Sequence, residues 1–166
     1  MPFGPIRYCT VQLLRHTTPT MRCAAFVPFL CDTNVNVLLR CSLRRGVNNK
    51  QSEVYYPGLA SHPQHELATR QMSSFGSVFA IDIPGGIDAC RTFISALQLV
   101  RPATSLGGPE TLICHPATST HFGLDEESLS GALASDGLLR ISVGLEHVDD
   151  LRHDFAQAFA AIKPTQ

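Results

Sequence analysis

No stretch of this 166-residue chain approaches the run of about 18 uninterrupted apolar residues that a membrane-spanning helix requires. Charge of one sign is not in excess either. Lys and Arg number 13 against 14 Asp and Glu, so the whole-chain field favours neither nucleic acid nor anionic lipid. Charged residues are only 16% of the chain and hydrophobic ones 44%, which excludes a charge-rich disordered polymer and leaves material for a core. General catalytic motifs are missing: there is no Walker loop, dinucleotide-binding glycine triplet, nucleophile-elbow serine or paired-cysteine zinc spacing. His62 and His65, and the group Cys114, His115 and His121, do not make a recognisable four-ligand set, so no metal is expected. The six cysteines are unevenly spaced in a chain too long to need stapling. They read as reduced thiols of a cytoplasmic protein.

The length allows one domain, or a small domain with an appendage. A seam in composition near residue 50 points to the second. Residues 1–50 carry six arginines and Lys50 against a single acid, Asp32, a net charge of +6; the remainder carries −7. Pro2, Pro5, Pro19 and Pro28 interrupt any long helix in the leading part. Three readings of it stay open. It has the Arg-rich, acid-poor composition of a mitochondrial targeting segment. It could be a domain edge whose one strand is the apolar stretch 34–39. It could also be sequence foreign to the fold, such as a misjoined reading frame. The expectation is a poorly ordered basic segment over 1–50 and a compact body over 53–162.

Within that body the periodicities are regular. Val54–Tyr56 is a short β-prone run stopped by Pro57-Gly58. Ser61-His62-Pro63-Gln64 reads as a capping box that opens a helix running to about Met72. A strand is expected over 77–83, ended by Pro84-Gly85-Gly86, and an amphipathic helix over 87–99 on the spacing of Ile87, Cys90, Ile94 and Leu97. The stretch 103–120 reads as loops and short strands. Leu139, Ile141, Val143 and Leu145 alternate with Arg140, Ser142 and Gly144, so 138–145 is a half-buried strand. Val148, Leu151, Phe155, Phe159 and Ile162 give the clearest helix, with Asp149 and Asp150 favouring its N-terminus. These elements predict an α+β two-layer sandwich, a small mostly antiparallel sheet with helices on one face.

Arg140 is the most informative single residue. A strand with apolar side chains on one face and an arginine on the other holds the guanidinium on a rigid element, suited to bidentate grip of a carboxylate. A surface ion pair with a nearby acid accounts for it equally well. Ser105-Leu106-Gly107-Gly108 has the same ambiguity: the glycines permit close backbone approach to a ligand, and they also make a plain turn.

Three longer segments carry a resemblance. VYYPGLASHPQHELATRQM (54–72), ATSLGGPETLICHPATSTH (103–121) and DGLLRISVGLEHVDDLRHDFAQAF (136–159) resemble, in order, the C-terminal small domain of the pyridoxal-phosphate-dependent enzymes of cysteine and methionine metabolism. That family includes cystathionine γ-synthase, cystathionine γ-lyase, methionine γ-lyase and the homoserine-ester sulfhydrylases. The resemblance covers about 53–162 and implies the small domain of a fold-type-I enzyme, tetrameric when intact, acting on sulfur amino acids or homoserine esters. It implies that Arg140 binds the substrate α-carboxylate, that Ser105 and Leu106 line the site beside cofactor and substrate, and that Thr120 lies at its edge. Thr104, just before the serine, matches neither the glutamate of cystathionine enzymes nor the valine of methionine γ-lyases.

The departures from the family pattern are as informative. Its chemistry needs a lysine to carry the cofactor, usually within S-x-T-K. The chain has two lysines, Lys50 and Lys163, and neither matches. The ring-stacking tyrosine, the aspartate at the pyridine nitrogen and the phosphate-binding loop belong to the family's large domain. The expectation is therefore a fragment with no catalytic residue and no covalently bound pyridoxal phosphate of its own. Two other readings stand beside it: a non-catalytic interaction module derived from the small domain, and a truncated or misjoined gene product.

Overall fold

In a computed structural model of the chain, residues 35–36, 38–39, 46–47, 50–123 and 135–162 are described. A short hairpin pairs β1 (Gly46–Val47) with β2 (Lys50–Gln51). There follow β3 (Glu53–Tyr55), α1 (His65–Gln71), β4 (Val78–Asp82), α2 (Gly86–Ala96), β5 (Arg101–Pro102), β6 (Leu112–Cys114), a 3-10 turn at Pro116–Thr118, β7 (Leu138–Ser142) and α3 (Val148–Ala161). Strands β3 to β7 form one mixed sheet in the order β3-β4-β7-β6-β5, antiparallel except for the β5–β6 pair. With its helices it is the expected α+β sandwich.

Two-residue alternation divides the sheet into faces. On one face Val54, Ile81 and Leu139 line up across β3, β4 and β7, and Phe79, Ile141 and Ile113 across β4, β7 and β6. All but Val54 are fully buried, and the core they form also holds Cys90 and Phe93 of α2 and Leu151, Phe155 and Phe159 of α3. The Phe93 ring meets Phe155 at 5.6 Å and Phe159 at 4.7 Å, edge to face, where α2 and α3 pack. Each such ring contributes on the order of 2–3 kcal/mol by leaving water. On the opposite face Tyr55, Ala80, Arg140 and Cys114 fall in one row.

Two local expectations are corrected. Ser61 does not cap the first helix, which begins at His65 with no side-chain cap. Instead the Gln64 N–H donates to His62 Nδ1 at 3.2 Å, and this local bond keeps 61–64 in a turn. Val35, Asn36, Leu38 and Leu39 are helical, where a strand was one reading of 34–39. The spacing explains it: 35, 38 and 39 fall on one helical face, and all three are buried in the core. The rest of 1–45 lies outside the described residues.

Cys90 is buried in that core, its Sγ 3.2 Å from the Gly137 carbonyl. Burial, reinforced by Asp82 and Asp136, pushes its thiol up to about 12. An unfolded cysteine ionises near 8.5. The stability tied to Cys90 is therefore full below that pH and is lost as pH rises from there towards 12, because only the unfolded chain gives up the proton. Alkylation at pH 8 mapped by mass spectrometry should leave Cys90 unmodified in the folded chain and modify it in denaturant.

Candidate functional site

Arg140 sits at the centre of β7, the middle strand of the sheet, on the face away from the core. Its backbone register puts Ala80 on one side and Cys114 on the other. Burial raises the Cys114 thiol while the Arg140 charge lowers it, and burial dominates. Further along the row the Tyr55 phenol is raised by burial first and then by its hydrogen bond to Glu53.

The loop after β5 folds back over this face. Arg140 Nη2 donates to the Thr104 and Ser105 carbonyl oxygens, both at 2.8 Å. Among the described residues no carboxylate forms an ion pair with it. An arginine has five N–H donors in a planar fork. Two carbonyls aim this one without neutralising it, and its Nε is shut off from solvent with no hydrogen-bond partner. An unsatisfied buried donor costs on the order of 1–3 kcal/mol. Among the described residues the geometry thus displays no surface ion pair at Arg140.

The loop is held at both ends. Arg101 N–H donates to the Thr111 carbonyl and Ala103 N–H to that of Ile113, continuing the β5–β6 ladder. At the far end Thr111 donates to the buried Glu146 carboxylate through its N–H at 2.5 Å and its hydroxyl at 2.7 Å, while Gly144 N–H donates to Thr111 Oγ1. Between them, Gly107 N–H donates to Ser142 Oγ at 3.0 Å. Gly107 has a φ of +77°, a left-handed conformation that favours glycine.

Of the four sequence-predicted site residues, the fold joins two, Arg140 and Ser105 through its carbonyl; Leu106 follows Ser105 in the chain and is 58% exposed. Thr120 is placed two residues beyond the 3-10 turn that packs against β7, exposed, with its hydroxyl 2.9 Å from His121 Nδ1. Among the described residues no hydrogen bond links it to Arg140. Sequence reasoning missed Ser142 and the pair Thr111–Glu146. Ser142 had a signal, since alternation put it on the same face as Arg140, but a hydroxyl on the outer face reads as solvated. Glu146 had none: a glutamate after a strand is ordinarily exposed, and this one is 4% exposed.

The five-stranded sheet backed by helices places the chain among pyridoxal-phosphate fold-type-I enzymes. Cystathionine gamma synthase from Xanthomonas oryzae pv. oryzae superposes with a TM-score of 0.76 and 36% identity, over 83% of this chain and 35% of that one. The chain belongs to the Cys/Met metabolism PLP-dependent enzymes, whose family model matches residues 46–160. It is 50% identical over 109 residues to O-succinylhomoserine sulfhydrylase of Pseudomonas aeruginosa, covering 66% of this chain and 27% of that protein. To L-methionine gamma-lyase of Pseudomonas putida it is 49% identical over 108 residues, covering 65% and 27%. The chain thus spans about a quarter of the length of these curated relatives.

The family depends on pyridoxal phosphate. The donor set beside Arg140 does not fit that group as a resident cofactor. Among the described residues the one lysine is Lys50, in the hairpin outside the five-stranded sheet. The row flanking Arg140 offers a phenol, a methyl group and a protonated thiol, none of them an amine. No described helix is long and apolar enough to cross a membrane, and no group of His, Cys, Asp and Glu among the described residues could hold a metal ion.

Proposed function

We propose that this chain is the substrate-carboxylate-binding lobe of a pyridoxal-phosphate-dependent enzyme of sulfur amino-acid metabolism, and that alone it does not turn substrate over. The body of the lobe is the small domain over 53–162. In the intact cytoplasmic enzyme, a tetramer, the reaction is β- or γ-elimination or γ-replacement on cystathionine, methionine or a homoserine ester. Arg140 holds the α-carboxylate, Ser105 helps orient the substrate, Leu106 lines its path and Thr120 stands at the rim. One observation carries the reading: a guanidinium on a rigid strand, aimed by two carbonyls, with no ion-pair partner among the described residues and an unpartnered Nε. An amino-acid substrate needs a fixed cation, and holding it in one orientation is where such a residue lowers a barrier.

Titrating the isolated chain with pyridoxal phosphate should give no visible band that borohydride fixes onto a mapped lysine, and added L-methionine should yield no thiol. A trapped cofactor on Lys50 or Lys163 would overturn the proposal of inactivity. A second reading, a non-catalytic module that docks onto a full-length relative, draws support from two exposed apolar side chains, Leu106 at 58% and Phe122 at 80%. It predicts co-purification with such a relative, and a monodisperse monomer that binds none would count against it. The remaining reading, a misjoined gene product, predicts an S-x-T-K segment and a large domain in another frame just upstream of codon 53.

A further inference from the structure

Ser142 lies two residues beyond Arg140 on the same strand and the same face. It is a polar side chain only 1% exposed, and its hydroxyl accepts the Gly107 N–H at 3.0 Å. Residues i and i+2 of a strand are about 6.5–7 Å apart. Over that span the loop makes two attachments to β7: consecutive carbonyls of Thr104 and Ser105 on Arg140 Nη2, and the Gly107 N–H on Ser142. Two consecutive carbonyls converge on one nitrogen only when the backbone between them is bent, and a bent exposed loop keeps that shape only if its tip is fixed. The ends of the loop are tied elsewhere, by the β5–β6 ladder and by Thr111 on Glu146. The tip is tied at Ser142.

We infer that Ser142 is a positioning residue: by holding Gly107 it shapes the loop that aims the Arg140 guanidinium, and so sets the strength with which the lobe grips a carboxylate. The inference rests on the proposed role of Arg140 and adds to it a residue that never touches the ligand. A hydroxyl buried merely to fill space would do its work equally well as a methyl group. A positioning hydroxyl would not.

The test uses the full chain and the Arg140 Nε–H resonance, assigned by its loss in Arg140→Lys, with L-methionine as the carboxylate probe. Threonine and valine at 142 have the same shape and differ by the acceptor, so any packing effect is common to both. One net hydrogen bond corresponds to roughly a fivefold change in an equilibrium. Ser142→Val and Ser142→Ala should each weaken L-methionine binding roughly fivefold and speed exchange of the Arg140 Nε–H in the free chain by a similar factor, with Ser142→Thr close to wild type in both. If wild type binds and the valine and threonine variants bind alike, with equal exchange, the inference falls while the role of Arg140 stands. If L-methionine never shifts the Arg140 resonance, the carboxylate role falls. The free-chain exchange then decides the positioning claim alone: slower in threonine than in valine upholds it, equal in both overturns it.

Discussion

Replacing Asp154 with alanine should lower the stability of the chain by about 3–5 kcal/mol, because three backbone N–H groups lose a charged acceptor worth on the order of 1–3 kcal/mol each, the more exposed ones at the low end. Asp154 is 3% exposed on α3. Its Oδ1 accepts the Gln98 N–H at 2.8 Å and the Gln157 Nε2 at 2.8 Å; its Oδ2 accepts the N–H groups of Leu99 and Val100, both at 3.0 Å. The three backbone donors lie just past the end of α2, on the path into β5. One carboxylate thus ties the packed helix pair to the strand that leads into the Arg140 loop. Alanine leaves three N–H groups without that acceptor, and the one on Val100 is buried. Asparagine keeps one acceptor oxygen and should cost about half as much. Urea denaturation measures both, and a loss below about 1 kcal/mol for the alanine variant would mean the backbone finds other partners.

Gly144→Ala should be nearly as damaging, at about 3 kcal/mol, the upper part of the usual range for overpacking. A Cβ there would stand 2.4 Å from the Pro109 carbonyl oxygen, 2.5 Å from Glu110 C and 2.6 Å from Thr111 N, all of them backbone. No side chain can rotate away, so either the end of β7 or the exit of the loop must move. Both are fixed at this point, by Leu145 N–H on the Pro109 carbonyl and Gly144 N–H on Thr111 Oγ1. The same variant should also shift the Arg140 Nε–H resonance, because the loop that aims it begins its return here. Gly76→Ala is the control. Its φ of +79° imposes backbone strain, but nothing lies within 4 Å of the added methyl group, so about 1 kcal/mol is expected. Equal melting temperatures for the two variants would contradict the steric account.

Much of the sheet and of α3 is legible in the sequence because their side chains obey a short period. Phe79 and Ile81 on β4 and Leu139 and Ile141 on β7 are buried at alternate positions, and Leu151, Phe155 and Phe159 at helical spacing. The same alternation sent Arg140 and Ser142 to the opposite face. Where local side-chain bonding competes with a motif, legibility ends. His62 Nδ1 displaces the role expected of Ser61, and Val35, Asn36, Leu38 and Leu39 are helical because three apolar side chains find one core. Thr120 was matched to a motif in the chain, yet among the described residues its hydroxyl has His121 for a neighbour.

The order of residues alone settled which side chains share a face, since periodicity is a property of neighbours along the chain, and it settled family membership through three segments in register. It could not settle which carboxylates are buried. Nothing in the sequence singles out Asp154 or Glu146, and only packing brought N–H groups from residues 54 and 35 positions away to each of them. Nor could it decide whether Arg140 would meet an acid or two carbonyls. That depended on where a loop 35 residues distant came to rest, and among the described residues the fold laid that loop's backbone against the guanidinium.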